Sequence, residues 1–136
     1  MISALDSSVI LDVLTDNPRF IKASEALLRR AVAEGKLVIG ECVLAEIAPV
    51  FNDENALREF LADWQIEFVP SSLESAILAG SNFAKYLSRG GRAGRIVADF
   101  LIGAHAVFHA DRLLARDRGY LRDYFSELKC LAKLDE

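Results

Sequence analysis

With 136 residues and 52% apolar content, the chain is long enough for one full hydrophobic core and carries no Pro-, Gly- or Ser-rich linker, so residues 1–136 are expected to form a single domain. Lys plus Arg number 16 against 20 Asp plus Glu, a formal net charge of −4, which excludes a global basic field and requires any polyanion site to be built locally. The two cysteines, Cys42 and Cys130, have no metal-ligand spacing, and no apolar run reaches the roughly 18 residues of a membrane span. A reduced, cytoplasmic chain with no export signal and no membrane segment is the expectation.

Taken in order, Ile2 to Leu5 reads as a buried strand closed by Asp6-Ser7-Ser8, residues that suit a helix start. Val9-Ile10-Leu11 and Val13-Leu14 suggest a short helix stopped near Asp16, where Asn17 can cap and Pro18 can open the next helix. That second helix carries Phe20, Ala23, Leu27 and Ala31 as its apolar stripe and ends at Gly35. Leu37 to Ile39 is a second strand, and Gly40 breaks into a helix with Val43, Leu44 and Ile47 inward and Glu46 aboard, closed by Pro49. Leu57, Phe60, Leu61 and Trp64 mark a further helix, and Ile66 to Val69 a third strand. Asp16, Asp53 and Asp63 read as turn or surface residues.

Ser71 with Glu74 three residues on offers a capping box, and Leu73, Ile77, Gly80, Ala84 and Leu87 continue it as an apolar helical stripe. A loop then brings Arg89, Arg92 and Arg95 with no intervening acid. Three arginines on a chain of net negative charge suit phosphate contacts, although glycines and charges are also what solvated loops contain.

Arg95 to His109 is apolar on nearly every face, the mark of a helix buried on most sides. Asp99 interrupts it in the first turn, where free backbone N–H groups and the helix dipole favour an anion. Gly103 and Ala106 share its face and leave the helix slim for close packing. His105 and His109, four apart, read as a polar edge of the core helix or as packed histidines, since no third metal ligand is evident. Leu113 to Ala115 is a fourth strand, followed by Arg116-Asp117-Arg118-Gly119, a helix from about Tyr120 to Phe125 and a last strand near Leu128 to Leu131.

Strands alternating with helices argue for a three-layer α/β/α fold with a mostly parallel sheet, because parallel strands need crossovers. In such a sheet ligands sit beyond the C-terminal strand ends. Asp6 and Asp117 follow the first and fourth strands, and Asp99 opens a helix running antiparallel to the strands, so all three face one rim. Glu46 lies one to two turns into the helix after the second strand; Glu41 is nearer, and spacing leaves both open. Converging carboxylates repel unless cations neutralise them, and hard oxygen donors suit Mg²⁺ or Mn²⁺ over zinc. A phosphoryl-transfer site with two metals roughly 3.5–4 Å apart is the natural product.

The ordered motifs Leu5-Asp6-Ser7-Ser8-Val9-Ile10, Ala45-Glu46-Ile47, Ala98-Asp99-Phe100-Leu101-Ile102-Gly103-Ala104-His105-Ala106 and Ala115-Arg116-Asp117-Arg118-Gly119-Tyr120 resemble those of PIN-domain ribonucleases, most of all the VapC-type toxins of VapBC toxin–antitoxin modules. The resemblance spans almost the whole chain. It implies a five-stranded sheet of order 3-2-1-4-5, Mg²⁺- or Mn²⁺-dependent endoribonuclease activity on RNA, a VapB-type antitoxin as partner, and a homodimer. Carried over, Asp6, Glu46, Asp99 and Asp117 match the metal-binding and catalytic acids, and Ser8 matches the polar residue two positions after the first. Ser8, Arg89, Arg92, Arg95 and Arg118 are the candidate substrate contacts; Arg116, Arg118 and Arg122 alternate with Asp117 and Asp123 and could equally hold the acids in place. Two other readings stand beside it: a non-catalytic binding module that keeps the fold, and a metal-dependent phosphatase of another α/β family. A haloacid-dehalogenase-like phosphatase needs a second Asp where this chain has Ser8.

Overall fold

The computed structural model describes residues 1–91, 97–116 and 123–131, the side chains of Cys130 and Leu131 excepted. Five strands, β1 (Ile2–Leu5), β2 (Lys36–Ile39), β3 (Ile66–Phe68), β4 (Arg112–Leu114) and β5 (Cys130–Leu131), form one sheet of order β3-β2-β1-β4-β5. All four strand pairs are parallel, with Ala4 level with Val38 on one side and Leu113 on the other. Successive residues on a strand point to opposite faces, and Ser3, Ala4 and Leu5 are all buried, as are the three residues of β4. Both faces of the sheet are therefore covered, as a three-layer α/β/α architecture requires.

The cover consists of α1 (Ser7–Leu14), α2 (Ile21–Glu34), α3 (Glu41–Ile47), α4 (Glu54–Asp63), α5 (Leu73–Ser88) and α6 (Val97–His109), with a 3₁₀ turn over Ala48–Val50. Pro49 sits in that turn, where its missing N–H ends α3. Asp53 caps α4 by accepting from the Ala56 amide at 2.8 Å. Helix α2 starts later than the sequence suggests. Asn17 closes a turn by accepting from the Arg19 amide at 3.0 Å, and regular helix begins at Ile21.

Helix α6 is the buried element that its composition predicts: Phe100, Ile102, Gly103, Ala104, His105 and Ala106 are all buried. It packs on β1, β4, α3 and α5. Phe100 sits in an aromatic cluster with Phe83, Tyr86, Tyr124 and Phe125. His105 is a packed histidine. Its Nε2 donates to the Val69 carbonyl at 2.6 Å, and burial holds the imidazole below its ordinary pKa, which keeps it neutral. Gly40 makes this close approach possible, because a Cβ there would lie 2.9 Å from the His105 ring. His109 stacks beside it with ring centroids 4.9 Å apart.

Helix α5 corrects the sequence reading twice. The capping box is one residue on: Ser72 and Ser75, in place of Ser71 and Glu74, exchange side-chain and backbone bonds. The stripe Leu73, Ile77, Gly80, Ala84 and Leu87 faces outward, with Leu73 71% and Ile77 62% exposed. Ser75, Ala79 and Asn82 are what the helix buries. Helical spacing marks a stripe but not its direction, and here the small and polar face of α5 is the one turned inward, with α5 packed on α6.

Candidate acidic site at the sheet edge

Chain order reverses between β1 and β4, so the crevice beyond their C-terminal ends is the topological switch point. Asp6 stands at that point. Its backbone N–H donates to the Leu114 carbonyl at 2.8 Å, which ties the end of β1 to the end of β4. With extended backbone it caps α1, its Oδ2 accepting from the Ser8 amide at 3.2 Å and from the Ser8 hydroxyl. The same hydroxyl accepts from the Arg116 amide at 3.3 Å, so Ser8 bridges the first acid and the segment leaving β4.

Glu46 reaches this rim from α3. Ser7 Oγ donates to Glu46 Oε1 at 2.7 Å, so two adjacent serines hold one acid each: Ser7 holds Glu46 and Ser8 holds Asp6. Glu41 is engaged elsewhere: it accepts from the Ser71 amide at 2.9 Å and fastens the turn between β3 and α5. Partial burial would raise its carboxyl, but the hydrogen bonds from its own amide and from Ser71 outweigh this and hold it below the usual range. Asp99 occupies the first turn of α6 and is half-buried. Asp117, Arg118, Arg92 and Arg95 lie outside the described residues, as does the first half of the helix expected from about Tyr120 to Phe125. Among the described residues no three His, Cys, Asp or Glu side chains stand together as a metal cage. Arg89 ends α5, exposed, with its guanidinium 5.2 Å from the Tyr124 ring centroid.

Two charged pairs went unread in the sequence. Asp12, 1% exposed in the middle of α1, receives both nitrogens of an Arg116 fork at 3.0 and 3.1 Å and the Ser24 hydroxyl at 2.7 Å. Arg116 also lies over Phe20, 4.3 Å from its centroid. The signal was present, since Asp12 interrupts an apolar run just as Asp99 does. At the opposite end of the sheet the buried Arg112 donates to Ser3 at 2.8 Å and to Glu34 at 2.6 Å.

The donor set on the rim, carboxylate oxygens supported by hydroxyls and amides, is hard and fits Mg²⁺ or Mn²⁺ better than zinc or copper. Cys42 is the nearest soft donor on α3, and burial together with Glu41 and Glu46 pushes its thiol up, away from the thiolate that metals take.

Solved structures share this architecture. VapBC2 from Rickettsia felis bound to a promoter DNA fragment matches with a TM-score of 0.72 at 18% identity, covering 98% of this chain and 99% of that one. VapBC-1 from nontypeable Haemophilus influenzae matches with 0.72 at 18%, covering 97% and 98%. FitAcB from Neisseria gonorrhoeae matches with 0.63 at 20%, covering 96% of each. At such identities the likeness is one of fold, and no curated protein sequence matches the chain. The model of the PIN domain matches residues 4–125, a span that runs from the strand before Asp6 past the end of β4 and takes in the acids on the rim. The chain belongs to the PIN domain family.

Proposed function

We propose that the chain is a metal-dependent endoribonuclease, a VapC-type toxin of a type II toxin–antitoxin pair. The observation that carries this reading is the pair of carboxylates at the switch point: Asp6 and Glu46 are held by the neighbouring Ser8 and Ser7, and among the described residues they meet hydroxyl and amide donors and no Lys or Arg. Asp6, Glu46, Asp99 and Asp117 are the proposed metal ligands. A bound Mg²⁺ or Mn²⁺ would act as a Lewis acid on the scissile phosphate and make an attacking water more acidic. The protein's own part is to hold the carboxylates in register: Asp6 by the α1 cap, Glu46 by Ser7, Asp99 by the first turn of α6. Ser8, between Asp6 and the Arg116 amide, is best assigned to positioning. Arg89 and the further arginines Arg92, Arg95 and Arg118 are the proposed phosphate contacts.

The structural neighbours are VapBC complexes, which supports a VapB-type antitoxin as partner. No helix among the described residues is long and apolar enough to cross a membrane, in keeping with a cytoplasmic setting. Self-association as a homodimer has support in α5. Its outward stripe is roughly symmetric about Gly80, where a Cβ would meet nothing within 4 Å. An antiparallel copy centred there sets Leu73 against the partner's Leu87, a self-complementary pattern. An exposed mid-helix glycine costs about 1 kcal/mol relative to alanine, and close approach of a second helix gives it a use. Ile77→Glu should yield a monomer in analytical ultracentrifugation; an unchanged dimer would move the interface elsewhere.

The central test is cleavage of RNA by pure protein. Chelation should abolish it and Mn²⁺ or Mg²⁺ restore it; full activity in excess EDTA would contradict the reading. A folded protein that binds antitoxin and RNA but never cleaves would favour the non-catalytic module.

A further inference from the structure

Every buried polar side chain raises the question of its partner, because a buried polar group without one is costly and rare. Ser3, Asp12, Ser24, Ser75, His105 and Arg112 are buried, and each is hydrogen-bonded. Asn82 is the exception among these residues, while the one enclosed polar atom without a partner among the described residues is His109 Nε2, on the half-buried end of α6. Asn82 is 4% exposed, and its amide makes no hydrogen bond to protein. It lines a cavity of about 220 Å³ beside α5.

Leu78, Asn82, Lys85 and Arg89 fall on one side of α5 and form one wall; Asp123, Tyr124, Ser126 and Glu127 form the other. The Arg89 guanidinium over the Tyr124 ring makes a flat cationic and aromatic platform. Tyr124 is pinned edge-on by Phe100, centroids 5.4 Å apart, and Phe100 directly follows Asp99. The cavity thus adjoins the aromatic cluster that seats the α6 acid.

The chemistry of the walls narrows the occupant. Asp123 and Glu127 oppose a free anion, Lys85 and Arg89 oppose a free cation, and the unpaired amide calls for a ligand edge that both donates and accepts. A volume below the roughly 300 Å³ of drug-sized pockets suits one ring system. We propose that this cavity is a subsite for a single unpaired nucleobase carrying an exocyclic amino group. Asn82 reads its edge, Asp123 or Glu127 accepts from the amino group, the Arg89–Tyr124 platform takes a face, and Lys85 meets the adjoining phosphate. RNA is read in this way wherever bases are splayed from the strand onto side-chain planes. The identity of the occupant as part of an RNA strand rests on the endoribonuclease reading above; the cavity and its amide do not.

The test is equilibrium binding of AMP, GMP, CMP and UMP to the intact protein in EDTA, followed by NMR shifts, with ribose 5-phosphate as the probe lacking a base. At least one amino-bearing nucleotide should bind more tightly than UMP, and ribose 5-phosphate should not bind. Asn82→Leu keeps the volume and removes the amide: its melting temperature should hold level or rise while affinity falls roughly tenfold or more. Arg89→Gln, on the exposed helix end, should weaken binding without altering the melt. Binding that ignores the base, equal affinity for UMP, or unchanged affinity in Asn82→Leu would overturn the subsite, and so would a large loss of stability in Asn82→Leu. Because no metal is present and nothing is cleaved, a failure of the nuclease reading leaves these results standing. Cleavage by a protein that binds no nucleotide here would remove the subsite alone.

Discussion

The two ends of the sheet hold their charges differently. At the N-terminal end Arg112 is buried between Ser3 and Glu34, and its guanidinium holds the Glu34 carboxyl below the usual range. Asp111 accepts from the Ile2 amide at 2.7 Å and donates its own N–H to Ile2 at 2.8 Å. At the C-terminal end Asp6 and Glu46 meet serine hydroxyls and a backbone amide, with no Lys or Arg within ion-pair distance among the described residues. Among the described residues, cations from within the chain meet the acids of one end, and hydroxyls and an amide meet those of the other. The buried Asp12–Arg116 pair sharpens the contrast, since six residues along α1 from Asp6 an acid is fully neutralised. Pairing charge within the chain offsets the cost of burying it, and a carboxylate left without a cation is, on the proposed reading, open to a metal.

The largest effect expected from breaking this contrast is on activity. Asp6→Asn or Asp99→Asn should lower RNA cleavage by at least about a hundredfold, since even outer partners of metal ligands are worth roughly 10–100-fold. A cleavage assay showing either variant within a few-fold of wild type would remove that residue from the site. Next comes stability at the neutralised pair. Asp12→Ala leaves the Arg116 fork and Ser24 without their acceptor and should cost about 3 kcal/mol in a urea melt, the low end for a broken buried pair because Arg116 is 32% exposed. A cost under about 1 kcal/mol would mean that the pair is only a surface contact.

A smaller effect is expected at Ser7. Ser7→Ala frees Glu46 from its 2.7 Å bond and should weaken metal response and cleavage roughly tenfold while changing stability by less than about 1 kcal/mol. The smallest effect is on pH dependence. His105 is held below its ordinary pKa by burial, so the unfolded chain takes up the proton first as pH falls. Its contribution is complete above the unfolded value of about 6.5 and is lost below it, with a slope of at most about 1.4 kcal/mol per pH unit. His105→Gln should flatten stability between pH 7 and 5; an unchanged slope would place the titration elsewhere.

The sequence made the sheet and its rim legible, because short apolar strands and acids at helix starts are local signals. Asp6 caps α1 and Asp99 lies in the first turn of α6, while Glu46, the sixth of the seven residues of α3, meets Ser7 at the start of α1. What stayed hidden depended on direction and partnership. The α5 stripe had the right spacing and the opposite facing, because nothing in Leu73, Ile77 and Leu87 says whether the core or another molecule covers them. Glu41 lies beside the Ser71 amide and Glu46 beside the Ser7 hydroxyl, partnerships that only the fold creates. Asp12 escaped notice because the local pattern gives no sign of Arg116, a hundred residues away in the chain.

The measurement that reaches the central claim most directly is a thermal melt of wild type and Asp6→Asn with and without Mn²⁺, beside an RNA cleavage assay. Asn can keep the α1 cap while removing one charge and a strong metal ligand. The account predicts that metal-free Asp6→Asn melts level with wild type or higher, because carboxylates without cations repel. It also predicts that the stabilisation by Mn²⁺ shrinks and that cleavage collapses. A variant that melts lower without metal, responds fully to Mn²⁺ and cleaves at the wild-type rate would contradict the account, leaving Asp6 as a helix cap and nothing more.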